Sequence, residues 1–110
     1  MTTFARPPRH YIIQGITKGG RTFRPSDWSE RLAGVMSPFR PGGVVGGANA
    51  HIGYSPYCVP IVYDGVKSVL VSEAIREIEL MAWDFVMNFA RDNELKVIEV
   101  EGQGRAARSS

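Results

Sequence analysis

The sequence predicts an α+β domain in which two amphipathic helices cover one face of an antiparallel sheet. Three observations carry this. Ser72–Asn93 repeats apolar residues at helical spacing, with Ile75, Ile78, Ala82, Phe85, Val86 and Phe89 on one stripe that Met81 and Trp83 widen. Trp28, Leu32, Val35 and Met36 repeat the same geometry in a shorter segment. Four β-rich runs surround these two segments, giving the order β-α-β-β-α-β. That order is the split-βαβ, ferredoxin-like arrangement, in which the first and third main strands are central and the second and fourth lie at the borders.

The first strand is read over His10–Thr17, where Ile and Tyr dominate and charge is scarce, so it belongs in the middle of the sheet. Lys18-Gly19-Gly20 marks a turn, and residues 21–24 are a possible short extra strand. Asp27 with Glu30 has capping-box spacing, with Ser26 as the alternative cap. The first helix ends near Ser37, because Pro38 disfavours helical geometry in the residue before it. Tyr57–Tyr63 and Val66–Val71 flank Asp64-Gly65, a strong hairpin signal. Pro60 lacks an amide proton, which places its strand at a sheet edge. Ser72 and Glu73 suit the start of the main helix, and Arg91 suits its end. Leu95–Val100 is the fourth main strand, with Ile98 and Val100 pointing inward and Glu99 and Glu101 outward.

The 110 residues are 44% hydrophobic and 22% charged, which suits one globular domain with a core of its own. We expect a disordered N-terminal tail over residues 1–9, the domain over 10–100, and a disordered tail over 101–110. Residues 37–56 hold five Gly and three Pro without periodicity and read as a long loop. No apolar run is long enough to span a membrane, and the first residues lack the apolar region of a secretory signal. A single cysteine, Cys58, allows no internal disulfide and fits a reducing cytoplasm. The net charge of +2 sits in the tails, since residues 10–100 carry nine basic against ten acidic groups. That balance argues against nucleic acid as a partner, as does the lack of an aromatic residue in Val66–Val71, where an RNA-recognition sheet needs one.

Gly20–Leu32, with its Phe23-Arg24-Pro25-Ser26-Asp27-Trp28 run, and Met81–Asn93 resemble a family of short proteobacterial proteins known as domain of unknown function 3579. The resemblance extends from about Tyr11 to Val100. It implies an α+β domain of this size and supplies no activity, cofactor or catalytic residue.

Candidate chemistry is sparse. Cys58 and His51 lie seven residues apart with no third group to orient them, so no catalytic residue is assigned. The glycines at 42–43 and 46–47 follow a helix instead of opening one, and no lysine accompanies them, so they lack the context of a phosphate loop. His10 and His51 are the only histidines, and no ligand spacing or cofactor motif is present. Glu73, Glu77 and Glu79 read as a solvated helix face.

The most distinctive cluster is Arg24, Ser26, Asp27, Trp28 and Arg31 at the start of the first helix, with His51 from the loop as a further candidate. Three functions follow, of which nucleic-acid binding through an RNA-recognition-like sheet is the least favoured. The preferred one is an interaction or regulatory module that pairs with a protein or with its own copy through edge strand 57–63. The alternative is a small-ligand or anion-binding domain, or a small enzyme, with loop 37–56 as its lid.

Overall fold

The computed structural model describes residues 8–40, 43–44, 53–101 and 105–106. The elements are β1 (His10–Thr17), α1 (Trp28–Met36), β2 (Phe39–Arg40), β3 (Gly43–Val44), β4 (Cys58–Tyr63), β5 (Val66–Ser72), α2 (Ile75–Ile78), α3 (Leu80–Asp92), β6 (Leu95–Glu101) and β7 (Arg105–Ala106). The main sheet has the order β4-β5-β1-β6-β7, and every neighbouring pair is antiparallel. β2 and β3 form a separate two-stranded ribbon. Among the described residues no helix is long and apolar enough to cross a membrane.

β1 is central, and Ile12, Ile13, Gln14 and Gly15 in it are buried. Paired residues in an antiparallel sheet share a face, and the two faces separate cleanly. Ile13, Val69, Val71 and Cys58 pack against Trp28, Leu32 and Met36 of α1 and against Ala82, Val86 and Ala90 of α3. Ile12, Leu70 and Ile98 lie in register on the opposite face. β4 ends the sheet, so Pro60 occupies the border strand that its missing amide requires. Asp64 and Gly65 have φ of 55° and 77°, and Tyr63 pairs with Val66, which makes a two-residue hairpin loop.

Four local expectations change. The long helix expected over Ser72–Asn93 is two helices broken at Glu79, where the backbone is extended at φ −159° and ψ 106°. The Glu79 carboxylate accepts the Met81 amide at 3.3 Å, so this residue closes α2 and caps α3. The break re-aims α3. Its buried line becomes Ala82, Val86 and Ala90, with two alanines where the helix comes nearest the sheet. Met81 is 71% exposed and Phe85 47% exposed, so neither belongs to the core stripe.

Second, the capping box does not form. Asp27 has φ −96° and ψ 19°, outside the extended geometry that aims a carboxylate at the first helical amides. Its carboxylate accepts from Arg31 Nε at 2.9 Å, while Glu30 pairs with Lys67 at 3.0 Å. Third, Ser72 ends β5 and its hydroxyl accepts the Ala74 amide at 3.1 Å. Glu73 is buried, bonded to the Arg9 amide at 3.0 Å and to Arg76 at 3.4 Å, so it is not part of a solvated helix face. Fourth, residues 21–24 form only a bridge, Ile16 to Thr22, and no strand.

Phe39–Arg40 and Gly43–Val44 place a short hairpin inside the expected loop 37–56, and Ser55 anchors its far end by donating to the Phe39 carbonyl at 2.6 Å. Residues 41–42 and 45–52 of that loop lie outside the described residues. So do residues 1–7, 102–104 and 107–110 of the expected tails, while Arg105–Ala106 pair with Val100–Glu101.

Two methionines test this division between core and surface. Met36 is 1% exposed, and Met36→Ala is expected to lower unfolding free energy by about 2–5 kcal/mol in a urea titration. Met81→Ala is expected to change it by less than about 0.5 kcal/mol.

Candidate functional site

Trp28 is the first residue of α1 and stands where α1, α3 and β1 converge. Its ring is stacked on Phe89 of α3, with centroids 6.0 Å apart and planes 14° apart. Phe23 meets both rings edge-on, at 5.6 Å from Trp28 and 5.9 Å from Phe89. Such aromatic contacts add about 0.5–1.5 kcal/mol each beyond their buried area. The nitrogen edge of Trp28 lies over Gly15 of β1. A Cβ at Gly15 would sit 2.6 Å from Trp28 Nε1 and 2.7 Å from the Lys67 carbonyl, so only glycine allows this approach.

Two clefts open on either side of the indole. The first is an apolar groove of about 240 Å³ between α1 and α3. Its floor is Trp28, Leu32 and Phe89, and its walls are Val35 and Phe85. Phe23 and Pro25 close one end, and Arg31 stands on the rim. The second cleft, also about 240 Å³, is more polar. It is lined by Gly15, Thr22, Ser26, Trp28 and Lys67, with the β4–β5 hairpin beside it. A wider depression of about 490 Å³ follows the β4 edge between Tyr54 and the Glu30–Lys67 pair. The Lys67 ammonium, together with the Glu30 amide and the Ser29 hydroxyl, holds the Glu30 carboxyl below its ordinary range.

The sequence candidates divide between these clefts. Ser26 and Trp28 share the polar one, and Trp28 and Arg31 share the apolar one. Arg24 is exposed and lines neither, although the Arg24–Pro25 peptide, which is cis, leads directly to them. Asp27 is occupied by Arg31, so two arginines do not converge on the start of α1. His51 lies outside the described residues. Gly15, Phe23 and Lys67 were not legible as site residues, because they reach Trp28 through the sheet and the hairpin and not through sequence spacing. Among the described residues no three His, Cys, Asp or Glu side chains are grouped to hold a metal ion.

Cys58 is fully buried under the helices, and burial pushes its thiol up to about 12. A thiol with a raised pKa favours the folded state while it is protonated. Its contribution is therefore complete below pH 9 and is lost as pH rises toward 12. The native protein is expected to resist a chromogenic disulfide reagent at pH 8 and to react stoichiometrically in urea. Rapid labelling of the native chain would contradict the buried thiol.

Comparison with known proteins places these features in a family. A solution structure described as the first structural representative of its family shares 32% identity, with a TM-score of 0.72, over 97% of this chain and 93% of that chain. No curated protein matches the chain. A family profile described as protein of unknown function (DUF3579) matches residues 7–100, and the chain belongs to that family.

Proposed function

We propose that this domain is a protein-interaction module whose docking surface is the apolar groove between α1 and α3. One observation carries the reading. Val35, at 57% exposure, and Phe85, at 47%, form the walls of a groove floored by aromatic rings. Exposed large hydrophobic residues gathered around a concavity suit the apolar anchor of a partner polypeptide. The volume supports this over a cofactor, since drug-sized ligands occupy about 300–1,000 Å³. The exposed Met81, four residues before Phe85 on α3, extends the apolar surface beyond the groove.

Edge strand β4 is the second surface. The Ser72 amide donates to the Tyr57 carbonyl at 2.9 Å, so bonded pairs alternate along β4 and the amide edges of Cys58, Pro60 and Val62 turn away from β5. Cys58 N–H is bonded to the Ser55 carbonyl at 3.0 Å, Pro60 has no N–H, and only Val62 keeps an outward donor. An added strand gains little from such an edge, which favours the groove.

We read the fold as ferredoxin-like, on the strength of the β4-β5-β1-β6 order with its two crossover connections. We read its location as the bacterial cytoplasm, on the lone buried Cys58 and the family resemblance. Nucleic-acid binding draws no support from the sheet. Tyr11 faces the helices, 5.6 Å from Trp83, and the opposite face of β1 and β5 presents Ile12, Gln14, Ser68 and Leu70. Loop 37–56 as a lid, which a small enzyme would need, rests on a segment of which half lies outside the described residues.

The test is partner capture by the tagged chain from its native host, compared across variants. Val35→Asp with Phe85→Asp is expected to weaken a specific partner by about 30-fold, the size of a hot-spot loss, with little change in thermal midpoint. A partner held at full strength by this double variant refutes the groove. Loss on Val62→Pro in its place assigns the interface to β4.

A further inference from the structure

The polar cleft contains a donor that the fold does not use. Trp28 is 4% exposed, and among the described residues no acceptor takes its indole N–H. A buried indole N–H ordinarily finds a partner. The nitrogen edge lies beside Gly15, which lines the cleft, and Nε1 is not among the fully buried unpartnered atoms, so the N–H borders that space. The Thr22 and Ser26 hydroxyls line the same cleft and make no hydrogen bond among the described residues. Lys67 is the one charged residue in the lining, and no acidic side chain contributes to it. Gly15 lets the indole nitrogen come this close to β1, because a Cβ there would meet both that nitrogen and the Lys67 carbonyl.

We propose that this cleft binds a small carboxylate. One carboxylate oxygen accepts from Trp28 Nε1–H, and the other accepts from the Ser26 or Thr22 hydroxyl. Lys67 lines the cleft, and the Glu30 carboxylate 3.0 Å from its ammonium offsets its charge, so recognition rests on the indole and hydroxyl donors. The volume of about 240 Å³ limits the ligand to a short acid, below the roughly 300–1,000 Å³ range of drug-sized molecules. The ring that floors the apolar groove thus presents its opposite function, a hydrogen-bond donor, on its other side. This site does not depend on the interaction reading, because it uses the nitrogen edge of Trp28 and none of Val35, Phe85 or Phe89.

The experiment follows the indole N–H signals of Trp28 and Trp83 in nitrogen-15 correlation spectra of the full chain, assigned with Trp83→Phe. The probes are sodium acetate and sodium succinate, titrated at constant ionic strength against sodium chloride. The expected result is a saturable shift of the Trp28 signal with acetate or succinate, none with chloride, and no matching shift of Trp83. Ser26→Ala is expected to weaken binding about fivefold, the effect of one lost hydrogen bond. Thr22→Val with Ser26→Ala, both at exposed positions, is expected to abolish saturation while the spectrum stays folded. The proposal is overturned if Trp28 shows no saturable shift up to about 10 mM of either acid, tenfold above a millimolar Kd. It is equally overturned if chloride reproduces the shift, or if the double variant binds as tightly as the parent.

Discussion

The close approach of Trp28 to Gly15 is the constraint on which the rest of this fold depends. An indole lying on a central strand removes any freedom in how α1 crosses the sheet. The stack on Phe89 then fixes α3 beside α1, and Phe23, meeting both rings edge-on, locks the segment between β1 and α1 into the same cluster. Three elements distant in sequence are set by one side chain, and that chain packs only because position 15 lacks a Cβ. The two clefts are consequences of the same geometry. A large flat ring wedged at a three-way junction leaves space along each of its edges that small neighbours do not fill.

Much of the architecture was legible in the sequence because it rests on local rules. Asp64-Gly65 demands positive φ at both positions, and only a tight hairpin supplies them. Pro60 lacks a donor and sits at the border of the sheet. His10–Thr17 is poor in charge because both faces of β1 are covered. What was not legible involves competition or distance. Asp27 has the right type and spacing both for a cap and for an i,i+4 pair with Arg31, and spacing alone does not say that the pair wins. The break at Glu79 hides from periodicity, since a glutamate inside a helical pattern looks like any solvated position. Once the axis changes there, Phe85 moves to a groove wall and Ala90 takes a core place. The polar cleft unites residues 15, 22, 26, 28 and 67, a set that no spacing rule assembles.

The helix break also explains how a small domain exposes aromatic surface without losing its core. A continuous helix from Ile75 would direct Ile78, Ala82 and Phe85 along one line toward the sheet. The break lets Ile75 fill the core from α2 while α3 turns two alanines toward the strands. Alanine at the nearest approach brings the α3 backbone close to β6, and the larger side chains are displaced to its flanks. Trp83 goes to one flank, where Tyr11 and the Arg76 guanidinium, 6.0 Å from its ring centroid, cover it. Phe85 goes to the other, where α1 offers Val35 across an open groove.

The two surfaces of this protein are therefore treated in opposite ways, and the contrast bears on function. A border strand is a standing invitation to unwanted pairing. Here the invitation is nearly withdrawn, because one outward amide is taken by Ser55, a second is absent at Pro60, and one remains at Val62. Among the described residues no equivalent device guards the helix layer. Arg31, the charge best placed to screen the groove, is drawn toward Asp27, and Val35 and Phe85 stay open to solvent. A chain that blunts its backbone edge yet leaves a side-chain groove uncovered restricts association to partners with the right apolar anchor. Backbone pairing accepts almost any extended segment, whereas a shaped aromatic groove discriminates by fit. That difference makes selective recognition the role to which this arrangement is suited.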